Sequence, residues 1–139
     1  MNPAPQPPNE PNLYEAMGGH ETFDRLVAGF YARVATDSLL RPLYPEEDLA
    51  PARQRLLMFI EQYWGGPKTY SQLRGHPRLR MRHAPFVIGP PERDAWLLHM
   101  RAAMDEIALP SELDAQLWDY FQRAAQFMVN HFPPAELNS

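Results

Sequence analysis

The chain has 139 residues, 45% of them apolar and 22% charged, which suits one soluble domain around one core. Cysteine is absent, so disulfides, thiolate catalysis and zinc–thiolate sites are excluded. With 13 basic and 17 acidic residues the net charge is −4, which does not suit a nucleic-acid binder. No secretory leader pattern and no membrane-length apolar run occurs, so a cytoplasmic protein without a membrane partner is expected.

The expected elements are all helical, because 3.6-residue periodicity recurs and alternating strand patterns do not. The proline-rich residues 1–11 read as a disordered tail, residues 12–133 as one domain and residues 134–139 as a second tail. Asn12 followed by Glu15 resembles a capping box and starts a short helix, Leu13–Met17, which Gly18-Gly19 ends. A helix from about Glu21 to Ala35 carries the stripe Phe23, Leu26, Val27, Phe30, Tyr31 and Val34. Asp37 and Ser38 can cap a short turn limited by Pro42 and Pro45. The next helix, roughly Asp48–Trp64, places Leu49, Ala52, Leu56, Phe59, Ile60 and Tyr63 on one face. Gly65-Gly66-Pro67 stops it.

After a loop with some helical turn, His76-Pro77 begins a short helix that Pro85 ends. Gly89-Pro90-Pro91 leads to a helix from about Glu92 to Leu109, with the stripe Trp96, Leu97, Met100, Ala103, Met104 and Ile107. Pro110 breaks it, Ser111 and Asp114 form an expected second capping box, and the last helix reaches about His131. The glycine pairs do not open a helix in a phosphate-cradling pattern.

The charge distribution singles out one stretch. Between Glu61 and Glu92 there is no acid, and Lys68, Arg74, Arg78, Arg80 and Arg82 concentrate there. His83 lies inside it, one turn after Leu79 and just before Pro85 and Phe86. Spacing alone favours a helix-end histidine that caps carbonyls or is satisfied in a core, since isolated histidines seldom bind metals without partners. Haem alters that balance, because the porphyrin supplies four nitrogens and the protein need give only one. A basic strip in a negative protein then meets the acidic edge of such a ligand, with solvation as the alternative for Arg74 and Arg80. His76 precedes a proline and is read as a helix cap, and His20, His99 and His131 receive no role.

Several segments together resemble the truncated haemoglobins of group II, or O type. They are Gly18-Gly19, FYARV at Phe30–Val34, YPEEDL at Tyr44–Leu49, FIEQYWGGP at Phe59–Pro67, RGHPRLRMRHAPF at Arg74–Phe86 and ERDAW at Glu92–Trp96. Their order and spacing cover about Leu13–Phe132. The resemblance implies a two-over-two helical sandwich around haem b, with His83 as the iron ligand. It implies that Tyr31, Tyr44 and Trp96 face dioxygen, carbon monoxide, nitric oxide or a similar ligand on the distal side. The distal-histidine position of larger globins falls on Ala52.

Lys68, Arg78 and Arg82 are expected to reach the propionates, with Tyr63 as a further donor. Leu49, Leu56, Phe59, Leu79, Phe86 and Met100 serve equally as ordinary core or as haem wall. Two function classes stay open: reversible diatomic binding, and haem redox chemistry such as peroxide reduction or nitric oxide dioxygenation. The second needs an external reductase, because no flavin or nicotinamide fingerprint is present. A homodimer is compatible with the resemblance, but no interface pattern marks one. The 16 prolines suit stiff loops and a warm habitat.

Overall fold

The computed structural model describes residues 12–45, 47–75, 83 and 86–130. The two expected tails, the helix start at His76-Pro77, and Arg78, Leu79, Arg80 and Arg82 lie outside the described residues. Among the described residues the elements are α1 (Leu13–Ala16), α2 (Gly19–Val34), a 3-10 turn (Arg41–Leu43), α3 (Ala50–Tyr63), α4 (Thr69–Arg74), α5 (Pro90–Ile107) and α6 (Ser111–Met128), with no strand.

The Asn12 side chain accepts from the Glu15 N–H at 3.3 Å, as a cap should, and its amide donates to the Gly65 carbonyl at 3.1 Å. The Tyr14 N–H donates to the Trp64 carbonyl, so α1 is fastened to the end of α3. Gly18 takes φ 114°, and a Cβ there would sit 1.9 Å from the Thr22 hydroxyl, so only glycine fits this entry to α2. All six residues of the expected α2 stripe are buried, each with a burial gain of about 1.5–3 kcal/mol for a side chain of this size.

α3 departs from its expected face. Its buried residues are Ala52, Leu57, Ile60 and Glu61, while Leu56 and Phe59 are half-buried and Tyr63 is 59% exposed. The helix divides its surface between the core on one side and a cavity on the other, so a single stripe does not describe it. Glu61 is held by the Tyr14 hydroxyl, which donates to it at 2.6 Å, and by His20 Nδ1 at 3.1 Å. Gly66 passes so close that a Cβ would stand 2.8 Å from the Tyr14 ring.

α5 starts two residues earlier than expected. Pro90 and Pro91 fit a first helical turn, and the Glu92 carboxylate accepts from the Gly89 N–H at 2.7 Å. The second expected capping box does not form. Pro110 occupies the N-cap position of α6, and Asp114 is drawn to Arg101 of α5, which donates to its two oxygens at 2.6 and 3.1 Å. α6 also stops at Met128, short of His131, because Val129 turns to extended backbone.

α2 packs against both α3 and α5, and α5 packs against α6. The helix pair α2/α3 therefore lies over the pair α5/α6 in a two-over-two sandwich. The core between them is led by Phe23, Phe30, Phe121, Leu26, Ile60, Met100 and Met104. No helix among the described residues is long and apolar enough to cross a membrane.

Candidate functional site: an apolar cavity with one imidazole

Beside this core opens a cavity of about 580 Å³. That volume lies within the roughly 300–1,000 Å³ typical of cofactor and ligand sites. α3 supplies Ala52, Leu56 and Phe59, and the loop before α5 supplies Phe86 and Ile88. α6 supplies Tyr120, Phe121, Ala124, Ala125 and Met128 at helical spacing.

The polar corner is built from three elements. Tyr31 comes from α2, Tyr44 from the segment after the 3-10 turn, and Trp96 from α5. The Tyr31 and Tyr44 rings meet edge to face with centroids 5.6 Å apart. Burial pushes the Tyr44 phenol above its ordinary value, while hydrogen bonds from Tyr31 and Trp96 pull it part of the way back. An indole N–H can only donate, so the Trp96 bond ends on the Tyr44 oxygen, while the Tyr31 and Tyr44 hydroxyls share a second bond in which either can donate. The backbone that carries Tyr44 is fixed by Arg41, whose guanidinium donates to the Tyr44 carbonyl at 2.9 Å and the Glu47 carbonyl at 2.7 Å.

His83 also lines the cavity, half-buried, with its ring 6.5 Å from that of Phe86. Its segment is fastened to the end of α6 by Asn130. The Asn130 side-chain amide donates to the Phe86 carbonyl at 2.8 Å and the His83 carbonyl at 3.3 Å. Its side-chain oxygen accepts from the Ile88 N–H at 2.8 Å, and its own N–H donates to the Ile88 carbonyl. Nothing in the sequence pattern marks Asn130, since its partners lie more than forty residues away.

Among the described residues, the cations around the cavity are Arg55, Arg74 and Arg93, with the Glu92 carboxylate held by the Gly89 N–H. Arg74 belongs to the acid-free stretch; Arg55 and Arg93 do not. Lys68 is exposed at the start of α4 and does not line the cavity. Tyr63 opens on a separate surface hollow, because the last turn of α3 carries it outward. Leu49 is half-buried against the core, and Met100, one turn beyond Trp96, is fully buried within it; neither lines the cavity wall. Sequence reasoning left out Leu40, Leu43, Tyr70 and the Tyr120 face of α6 as wall residues.

No group of three or more His, Asp or Glu side chains that could hold a metal occurs among the described residues. Among the described residues, one imidazole in a mostly apolar wall with guanidinium groups around it suits a flat group that brings its other metal ligands and carries acids on its edge.

Comparison with known proteins agrees. Residues 12–130 match the bacterial-like globin family. The group 2 truncated haemoglobin YjbI of Bacillus subtilis strain 168 is 43% identical over 117 residues, covering 84% of this chain and 87% of that one. The X-ray structure of a thermostable haemoglobin from Thermobifida fusca is 62% identical, with a TM-score of 0.85, and the match covers 86% of this chain and 98% of that one. The X-ray structure of a truncated oxygen-avid haemoglobin from Bacillus subtilis is 41% identical, with a TM-score of 0.81, covering 86% and 100%. A two-over-two sandwich, a single-imidazole cavity and these relatives lead to one family: the chain belongs to the group II truncated haemoglobins, a membership that implies a haem cofactor and haem-based ligand binding.

Proposed function

We propose that this chain holds haem b in the large cavity with His83 as the protein ligand to iron. We further propose that it retains dioxygen, or a diatomic such as carbon monoxide or nitric oxide, against Tyr31, Tyr44 and Trp96. When bound, haem supplies the iron at which the diatomic is held.

The observation that carries the reading is the arrangement at Tyr44. Its oxygen accepts from the Trp96 N–H and shares a hydrogen bond with the Tyr31 hydroxyl, so with Tyr31 donating, the Tyr44 proton is offered to an acceptor in the cavity. Burial keeps that phenol protonated well above neutral pH, so the donor persists across the physiological range. On the other side Asn130 fixes the backbone of His83 and Phe86, which limits the orientations open to the imidazole. Leu56, Phe59, Tyr70 and Phe86 exclude water from the cavity centre, and Arg74 and Arg93 are the cations offered to propionates. Arg78 and Arg82 remain assigned to the same anions from the sequence. Retention rather than quick delivery is the behaviour expected, in keeping with the oxygen-avid relative.

The test is an absorption spectrum of the ferrous, oxy and carbonmonoxy forms, repeated for His83→Ala. A Soret band with coordination altered in the variant is expected. Identical spectra in the two proteins would overturn the assignment of His83.

A further inference from the structure

The connection from α2 to α3, residues 35–49, carries Tyr44 and has, among the described residues, one 3-10 turn of its own. Asp37 organises it. One carboxylate oxygen accepts from the Leu39 N–H at 2.7 Å and the Leu40 N–H at 3.0 Å. The Asp37 carbonyl accepts from the Arg41 N–H at 2.9 Å, and the Arg41 carbonyl accepts from the Tyr44 N–H at 3.1 Å. The second carboxylate oxygen lies 2.5 Å from Nε2 of His99, on α5. Both side chains are 18% exposed, and neither lines the cavity.

The bond to His99, then those to the two backbone N–H groups, holds the Asp37 carboxyl below its ordinary value. A carboxylate can only accept, so His99 donates to it through Nε2. A local turn uses one carboxylate oxygen, whereas the second reaches across 62 residues of sequence. His99 stands three residues after Trp96 and therefore on the same side of α5. The Trp96 indole ends on the Tyr44 oxygen. Residues 35–49 are thus tied to α5 twice, at Tyr44 and at Asp37.

Hydrogen bonds weaken steeply with misalignment, so a donor aimed at a ligand has to be held to within about 0.5 Å. We propose that His99 and Asp37 are positioning residues that fix the Tyr44 hydroxyl against the Trp96 indole, and through Tyr44 set the hydrogen bond given to a diatomic in the cavity. The proposal rests on the reading of the cavity as a haem site with Tyr44 as the donor. Neither residue touches the ligand. Without the His99 bond, residues 35–49 keep the local Asp37 turn but lose one of their two ties to α5. The Tyr44 hydroxyl then samples a wider range of positions, and its bond to the ligand weakens.

The experiment compares the haem-loaded wild type with His99→Leu, His99→Gln, Tyr44→Phe and the double variant Tyr44→Phe/His99→Leu. It reads the C–O stretch of the ferrous carbonmonoxy form by infrared spectroscopy and dioxygen release by stopped flow. His99→Leu raises the stretching frequency and speeds release several-fold. His99→Gln, which still donates to Asp37, restores both toward wild type. In the Tyr44→Phe background, His99→Leu changes neither, because the group it acts through is gone. Wild-type values in His99→Leu overturn the proposal. So does an effect of equal size in the Tyr44→Phe background, which is the mark of general loosening. A missing Soret band, or Tyr44→Phe matching wild type in both readouts, overturns instead the reading on which the proposal stands, and the proposal with it.

Discussion

Replacing Tyr44 by phenylalanine removes one oxygen and leaves the ring, so its effect can be worked out from hydrogen bonds. Two things change at once. The Tyr44 O–H, which the proposed function turns toward a ligand while Tyr31 and Trp96 donate to its oxygen, disappears as a donor. A hydrogen bond to a charged acceptor is worth about 1.5–3 kcal/mol. At roughly 1.4 kcal/mol per factor of ten, dioxygen should leave about 10- to 150-fold faster. The Trp96 N–H also loses its acceptor and the Tyr31 hydroxyl one hydrogen-bond partner, and a buried donor that loses its acceptor costs about 1–3 kcal/mol. Tyr31 is only 7% exposed, so solvent does little to compensate. With about 2–8 °C of midpoint per kcal/mol across domains of this size range, the ligand-free variant should melt several degrees lower. Trp96→Phe and Tyr31→Phe remove one orienting bond each, worth about 1 kcal/mol or roughly fivefold in rate. Stopped-flow displacement of dioxygen by carbon monoxide measures all three. A Tyr44→Phe rate within about twofold of wild type, or one below that of Trp96→Phe, refutes the argument that Tyr44 presents the proton.

Asn130→Ala removes the side-chain bonds that fasten His83, Phe86 and Ile88; it should cost about 2 kcal/mol and speed haem transfer to apomyoglobin several-fold. Ala108 caps α5 with φ 51° and ψ 54°, a left-handed conformation that glycine adopts freely, so Ala108→Gly should raise stability by roughly 0.5–1 kcal/mol in urea denaturation. Burial, then the hydrogen bond to Glu61, pushes the Tyr14 phenol up to about 12, and burial also raises Tyr44 and Tyr120. The folded state thus holds these protons more tightly than the unfolded chain; the Tyr14 contribution is complete below pH 10 and is lost as pH rises through about 12, and those of Tyr44 and Tyr120 are likewise lost above pH 10, so the urea midpoint should fall above pH 10 and Tyr14→Phe should flatten part of that fall.

Local periodicity was enough for α2, where one helix face meets one core and every stripe residue is buried. It was not enough for α3, whose two inward faces serve different purposes. Leu57 went unread, and Glu61 entered only as the edge of the acid-free stretch although it is 7% exposed. Its partners Tyr14 and His20 lie more than forty residues away, and no local pattern reports such a pairing. The Ser111–Asp114 pattern misled for a similar reason, because the bidentate offer of Arg101 from α5 outcompetes a local cap. Tyr31, Tyr44 and Trp96 are joined by the fold from widely separated positions, and only the family resemblance brought them together in advance. The acid-free stretch brings His83 and Arg74 to the cavity, yet two of the three cations around it among the described residues, Arg55 and Arg93, stand outside that stretch.

α6 explains why the two sides of the cavity are not independent. Its inner face supplies Tyr120, Phe121, Ala124, Ala125 and Met128 to the wall, and the Phe121 ring rests on Trp96 in the polar corner. Two residues beyond its end, Asn130 holds the backbone of His83 and Phe86. The helix is tied at its other end to α5 through the Arg101–Asp114 pair, with the Arg101 guanidinium also stacked 5.1 Å over Trp118. A tilt of α6 on α5 would therefore move the indole that orients Tyr44 and the loop that carries His83 together. Such a helix sets the distance between imidazole and phenol through packing, which a short sandwich with few helices has to achieve with one element where a larger globin can use several.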